Sequence, residues 1–172
     1  ENGSLIDAIE NRILTPTGTV ILKRTDKGTA SLFDGGISDI GARLESDFQI
    51  TTIPFTVIVN FKFTKSLSTC YIVSQTKTND PGRFIIYIQS DDKLEYFLGG
   101  DSFKTDPLVN NKWYQAIFTS DGDGVCRFYL NNKYLGTYTN NNAIPLLNVF
   151  QIGGSSSVAS RALFGYINKV IV

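Results

Sequence analysis

This 172-residue chain contains no histidine, which excludes His-based general acid–base chemistry. Ser/His/Asp and Cys/His nucleophile systems therefore cannot be built, and the commonest transition-metal ligand is missing. Glycoside hydrolysis needs two carboxyl groups, about 5–5.5 Å apart in a retaining enzyme. The chain has four glutamates, Glu1, Glu10, Glu45 and Glu95. None has a second carboxylate at the strand spacing that would aim both to one face. Glu45-Ser46-Asp47 comes nearest, in a loop-like stretch without a third acid.

Two segments invite a metal reading. Asp121-Gly122-Asp123-Gly124 superficially resembles a calcium loop, but the twelfth position, where such a loop needs Glu, is Asn132. A hairpin turn is the expectation there. Asp34 and Asp39 bracket Gly35-Gly36-Ile37-Ser38 and could offer carboxylates and carbonyls to calcium; Asp34-Gly35 is equally a plain turn. Gly99-Gly100 and Gly153-Gly154 lack the continuation of a phosphate cradle and read as turns.

Sugar recognition asks for aromatic rings beside planar polar groups. The stretch from Arg83 to Asp106 holds Arg83, Tyr87, Gln89, Tyr96, Asp101, Lys104 and Asp106. Arg83, Ile85, Tyr87 and Gln89 alternate onto one strand face, with Phe84, Ile86 and Ile88 on the other. The second face is core. The first is either solvated surface or a binding face, and Arg83, Tyr87, Gln89, Tyr96 and Asp101 are the candidate ligand residues.

These residues must be positioned by strands. Only Leu5 to Leu14 reads as a passable helix, closed by Pro16. Elsewhere short runs rich in β-branched and aromatic residues are bounded by Gly, Asn, Asp and Pro. Phe55, Val57, Val59, Phe61 and Phe63 lie on one face, with Thr56, Ile58, Asn60 and Lys62 on the other. Hairpins are expected across Thr25–Gly28, Ser90–Asp92, Asp121–Gly124 and Asn131-Asn132, paired Asn tolerating the positive φ of a primed turn. Roughly a dozen such strands without βαβ alternation indicate a sandwich or barrel. Cys70 and Cys126 lie in apolar runs, as free buried thiols or as one bridge.

The formal net charge is +0 and the longest cationic run is Lys23-Arg24, which argues against a nucleic-acid partner. No apolar run reaches about 18 residues, so membrane insertion is not expected. The chain starts at Glu1 and contains no Met, as a processed or excised domain would.

Ala30-Ser31-Leu32-Phe33-Asp34-Gly35-Gly36, Ile53 to Phe61, Lys112-Trp113-Tyr114-Gln115-Ala116, Phe128-Tyr129-Leu130-Asn131-Asn132-Lys133 and the closing Phe164 to Val170 occur in one order. In that order they resemble a laminin G-like domain of the concanavalin A-like superfamily. The resemblance implies an all-β jelly-roll sandwich of two antiparallel sheets, a single domain over residues 1–172 with 1–19 as a possible lead-in, and a core role for Trp113. It also implies that a catalytic member would carry an E-x-D-x-(x)-E strand, which this chain lacks. The expectation is a non-catalytic carbohydrate-binding or adhesion module with a glycan or glycoprotein ligand. It would be one part of a multidomain or multivalent extracellular, cell-surface or virion protein. The alternative is a structural or protein-docking jelly roll with no sugar site.

Overall fold

The computed structural model describes residues 5–6, 13–34, 42–64, 68–76, 83–140, 149–155 and 161–172. Among these the chain is all-β. An eight-stranded antiparallel sheet runs β1 (Leu5–Ile6), β2 (Ile13–Thr17), β5 (Arg43–Ser46), β14 (Phe150–Ile152) and β7 (Cys70–Gln75). It continues through β8 (Phe84–Ile88), β9 (Lys93–Leu98) and β10 (Asp101–Pro107). A seven-stranded antiparallel sheet runs β13 (Lys133–Thr139), β12 (Val125–Leu130), β11 (Trp113–Ser120) and β6 (Phe55–Phe63). Its last three strands are β15 (Phe164–Ile171), β4 (Gly28–Asp34) and β3 (Val20–Thr25). The two sheets pack face to face as a jelly-roll sandwich.

The core follows from side-chain alternation. On β6, Val57, Val59, Phe61 and Phe63 are buried; on β8 and β9 the buried partners are Phe84, Ile86, Ile88, Leu94, Tyr96 and Leu98. Aromatic rings bridge the layers. Phe84 meets Phe118 edge-on at 5.1 Å, and Phe103 stacks on Phe128 at 4.8 Å. Such geometries add about 0.5–1.5 kcal/mol per pair beyond burial. Tyr96 also crosses the core, its hydroxyl donating to the Tyr129 carbonyl at 2.8 Å.

The hairpin between β12 and β13 has its two turn residues, Asn131 and Asn132, at φ of 51° and 66°, as their side chains tolerate. Gly153 holds a close approach: at φ 80° an added Cβ would lie 2.2 Å from the Phe33 ring. Cys70 and Cys126 are both buried and are not bridged to each other.

Three expectations need correction. The stretch from Leu5 to Leu14 is not a helix at its described ends, because Leu5–Ile6 and Ile13–Thr17 pair as strands. The 13–17 segment is accordingly part of the sandwich. Glu45 and Ser46 belong to strand β5, not to a loop. Trp113 is not a core residue: Tyr114, Ala116 and Phe118 point inward, so Trp113 and Gln115 fall on the outer face, half-buried.

Candidate functional site

The sheet register builds one row of side chains across the outer face of the eight-stranded sheet. Tyr71 on β7 opposes Tyr87 on β8, Tyr87 opposes Glu95 on β9, and Glu95 opposes Lys104 on β10. The alternation that buries Phe84, Ile86, Leu94 and Tyr96 turns these residues outward. A bulge between Tyr71 and Val73 shifts β7 by one residue, which keeps Tyr71 in the row and Val73 in the core.

Glu95 is the centre of the row. It is only 3% exposed, yet its carboxylate is well partnered. The Gln89 Nε2 donates to its Oε2, the Lys104 ammonium stands 3.6 Å from the same oxygen, and the Tyr87 hydroxyl donates to it as well. A buried carboxylate without such partners would be strongly destabilising. Burial, reinforced by the hydrogen bond and charge of Glu95, pushes the Tyr87 phenol well above its ordinary 10.0 and keeps its proton in place.

The ends of the row are aromatic and cationic. Tyr71 and Tyr87 have ring centroids 5.7 Å apart. Arg161 lies over the Tyr71 ring at 5.4 Å and donates to its hydroxyl at 2.7 Å. Arg83 lies 5.0 Å over the Phe97 ring, and its buried Nε makes no hydrogen bond among the described residues. The arrangement can offer guanidinium, ammonium and amide groups to a polyhydroxylated ligand beside two partly exposed rings, Tyr87 and Phe97.

The two described glutamates, Glu45 and Glu95, do not form a carboxylate pair with each other. Glu45 is held by Arg43 and Gln151, each at 2.7 Å. It sits four strand spacings from Glu95, roughly 19 Å at about 4.8 Å per step, whereas even an inverting pair needs about 6.5–9.5 Å.

The structure gathers only part of the sequence-predicted set. Arg83, Tyr87 and Gln89 share the outer face. Tyr96 does not: it is completely buried in the core, because it shares strand parity with Leu94 and Leu98. Asp101 is exposed but lies on the Phe103 side of β10, its carbonyl accepting from the Tyr138 hydroxyl at 3.2 Å. Asp39 and the Asp34 side chain lie outside the described residues, and among the described residues no cluster of three or more Cys, Asp and Glu side chains is placed to hold a metal. The Asp121 turn closes on itself. Asp121 Oδ1 accepts from the Asp123 and Val125 amides at 3.1 and 2.8 Å, and Oδ2 from Arg127 at 2.9 Å.

Glu95, Tyr71, Phe97 and Arg161 were not singled out from the sequence. For Glu95 and Phe97 the signal was there: both have opposite parity to Leu94, Tyr96 and Leu98 on one strand. Tyr71 and Arg161 come from distant segments and no local pattern links them.

Comparison with known proteins places the fold. Domain 4 of an extracellular arabinanase from Geobacillus stearothermophilus, solved in complex with arabinotriose, superposes with a TM-score of 0.73 at 16% identity, covering 98% of this chain and 86% of that one. The receptor-binding domain of botulinum neurotoxin type G gives 0.70 at 15% identity. There the match covers 99% of this chain but 45% of the toxin domain, so the chain spans less than half of that relative. A pentraxin from Limulus polyphemus gives 0.62 at 19% identity, over 81% and 72% of the two chains. Among curated proteins none matches closely enough to count as a relative. The laminin G family model matches residues 34–172, from the end of β4 through β15. By that match the chain belongs to the concanavalin A-like lectin/glucanases superfamily.

Proposed function

We propose that this chain is a non-catalytic carbohydrate-binding module that takes a glycan across the outer face of its eight-stranded sheet. It would serve a larger extracellular, cell-surface or virion protein. The observation that carries this reading is Glu95: a carboxylate fixed by Gln89, Lys104 and Tyr87, beside the partly exposed rings of Tyr87 and Phe97. Preset groups of this kind cost little ordering when a ligand arrives. In this reading Tyr87 and Phe97 face the apolar side of a sugar ring, while Arg83, Gln89 and Lys104 donate to its hydroxyls. Affinity per site is modest, and display in several copies raises it. The arabinotriose-bound neighbour and the receptor-binding toxin domains support a binding role by likeness of fold.

A high-density glycan array with and without calcium tests the proposal. Binding that Arg83→Ala and Tyr87→Ala weaken, with the thermal transition intact, is the expected result. Hits that appear only with calcium would extend the proposal to Asp34 and Asp39. A second reading has its own observation: Glu95 and Tyr71 are each only 3% exposed and satisfied by neighbours, as in a purely structural face. An array without hits from well-folded protein would select that protein-docking reading.

A further inference from the structure

The outer face of the opposite, seven-stranded sheet carries a second group of side chains that the row around Glu95 does not involve. Trp113 on β11 opposes Lys62 on β6, and Lys62 opposes Tyr166 on β15. The Lys62 ammonium lies 5.0 Å from the Tyr166 ring and 5.9 Å from that of Trp113, so one lysine braces both aromatics. The Trp113 indole N–H donates to Asp26 at 2.9 Å, which fixes the ring against the β3–β4 turn. One step along the strands, Gln115 opposes Asn60. Lys27, Tyr114, Asn131 and Asn168 complete the lining of a cleft of about 400 Å³, within the roughly 300–1,000 Å³ of small-molecule sites.

The amides in this cleft are only half used. Gln115 Nε2 donates to Asn60 Oδ1 at 3.0 Å, and the Gln115 backbone amide donates to Asn131 Oδ1 at 2.9 Å. Asn168 Nδ2 donates to the carbonyls of Lys27 and Thr29 at 2.9 and 3.1 Å. Those bonds orient all four amides. They leave the NH₂ groups of Asn60 and Asn131, and the carbonyl oxygens of Gln115 and Asn168, without partners among the described residues. Two donor groups and two acceptors then face one cleft beside an indole.

That alternation selects a ligand class. A phosphate or carboxylate accepts only, so even with Lys27 in the lining it would set its other oxygens against two amide carbonyls. A bare cation would leave both NH₂ groups unmet. A neutral saccharide fits both, because each hydroxyl donates and accepts and its C–H face covers an aromatic ring. We propose that the Trp113–Asn60–Gln115 cleft is a second binding site of the chain, specific for a neutral saccharide. This inference does not rest on the reading of the Glu95 face.

The experiment uses a reporter already in place, since Trp113 is the chain's single tryptophan. Its emission is followed while neutral trisaccharides of arabinose, glucose, galactose and mannose are titrated in, with a sulfated trisaccharide and inorganic phosphate as charged comparisons. The expected result is a saturable emission change with at least one neutral sugar, and none with phosphate. Asn60→Ala combined with Gln115→Ala keeps the reporter and should weaken that titration about tenfold or more, as loss of a central contact does. The circular-dichroism melt of the double variant checks that the sheet is retained; should it unfold, the milder Gln115→Glu, which replaces the donor and adds charge, is read instead. No emission change with any neutral sugar, a response to charged probes alone, or an unaltered titration in the folded variant would overturn the site. The readout is local to Trp113, so it is blind to binding on the opposite sheet and its failure is separable from failure at Glu95.

Discussion

Tyr87 keeps its proton because the phenol is half-buried and already donates to Glu95. Tyr96 and Tyr138 are raised by burial in the same direction. A phenol whose value is raised on folding stabilises fully below its ordinary 10.0, and that stability is lost as pH climbs toward the folded value. Alkaline absorbance titration should therefore find these three of the eight tyrosines ionising only as the chain unfolds. Asp121 titrates in the opposite sense. The Val125 amide, with help from Arg127 and the Asp123 amide, lowers its carboxyl below 3.8. Its contribution is present above 3.8 and fades as pH falls through the lowered value. Melts of wild type and Asp121→Asn should differ most near neutrality and converge in acid; parallel curves would remove Asp121 from the turn. At this scale strand parity was readable and motif resemblance misled. Trp113 shares parity with Gln115, opposite to Tyr114, Ala116 and Phe118, yet the motif assigned it to the core. Tyr96 has the parity of Leu94 and Leu98, and belongs with them. What no sequence pattern contains is the meeting of Tyr71, Tyr87 and Arg161, which depends on a bulge and on pairing between remote segments.

Among the elements, β6 was legible, because five inward apolar positions alternate with Thr56, Ile58, Asn60 and Lys62 over Phe55–Phe63. The β8, β9, β11, β12 and β13 hairpins were legible for the same reason, each closed by Gly, Asp or Asn. By contrast β10, Asp101–Pro107, carries Lys, two Asp and Pro and is exposed along most of its length. Those residues suit an edge strand that must not recruit another chain, and they also erase the alternation that would reveal it. The junction of β15 with β6 makes a sharp prediction. A Cβ on Gly165 would stand 2.1 Å from the Lys62 carbonyl oxygen and 2.8 Å from Phe63 Cα. Backbone cannot swing aside, so Gly165→Ala should cost about 3 kcal/mol or more. Gly122→Ala, whose Cβ meets nothing within 4 Å, is the matched control and should leave the denaturant midpoint nearly unchanged. Phe128 tests the cross-layer aromatic group: it packs on Phe103, Tyr96, Phe118 and Tyr138. Phe128→Ala should destabilise by about 3–5 kcal/mol in the same assay.

For the whole molecule, the charge balance of +0 separates recognition from electrostatic steering. Binding that depends on amides, rings and locally paired charges should weaken little as salt rises, and a steep salt dependence of any glycan hit would argue for an anionic ligand instead. The sandwich as a whole was the most legible feature, since turn chemistry and alternation repeat along the chain, whereas the division of its strands between two sheets was not. That division places the strand nearest the C-terminus, β15, inside the seven-stranded sheet, between β6 and β4. Until residues 164–171 insert, β13, β12, β11 and β6 form one piece and β4 with β3 another. The sheet thus resembles an arch whose keystone is set last. Its closure joins segments remote in sequence, which puts folding on the order of milliseconds to seconds rather than microseconds. Without β15 the flanks of β6 and β4 that it occupies would be two open sheet edges, each able to pair with another chain.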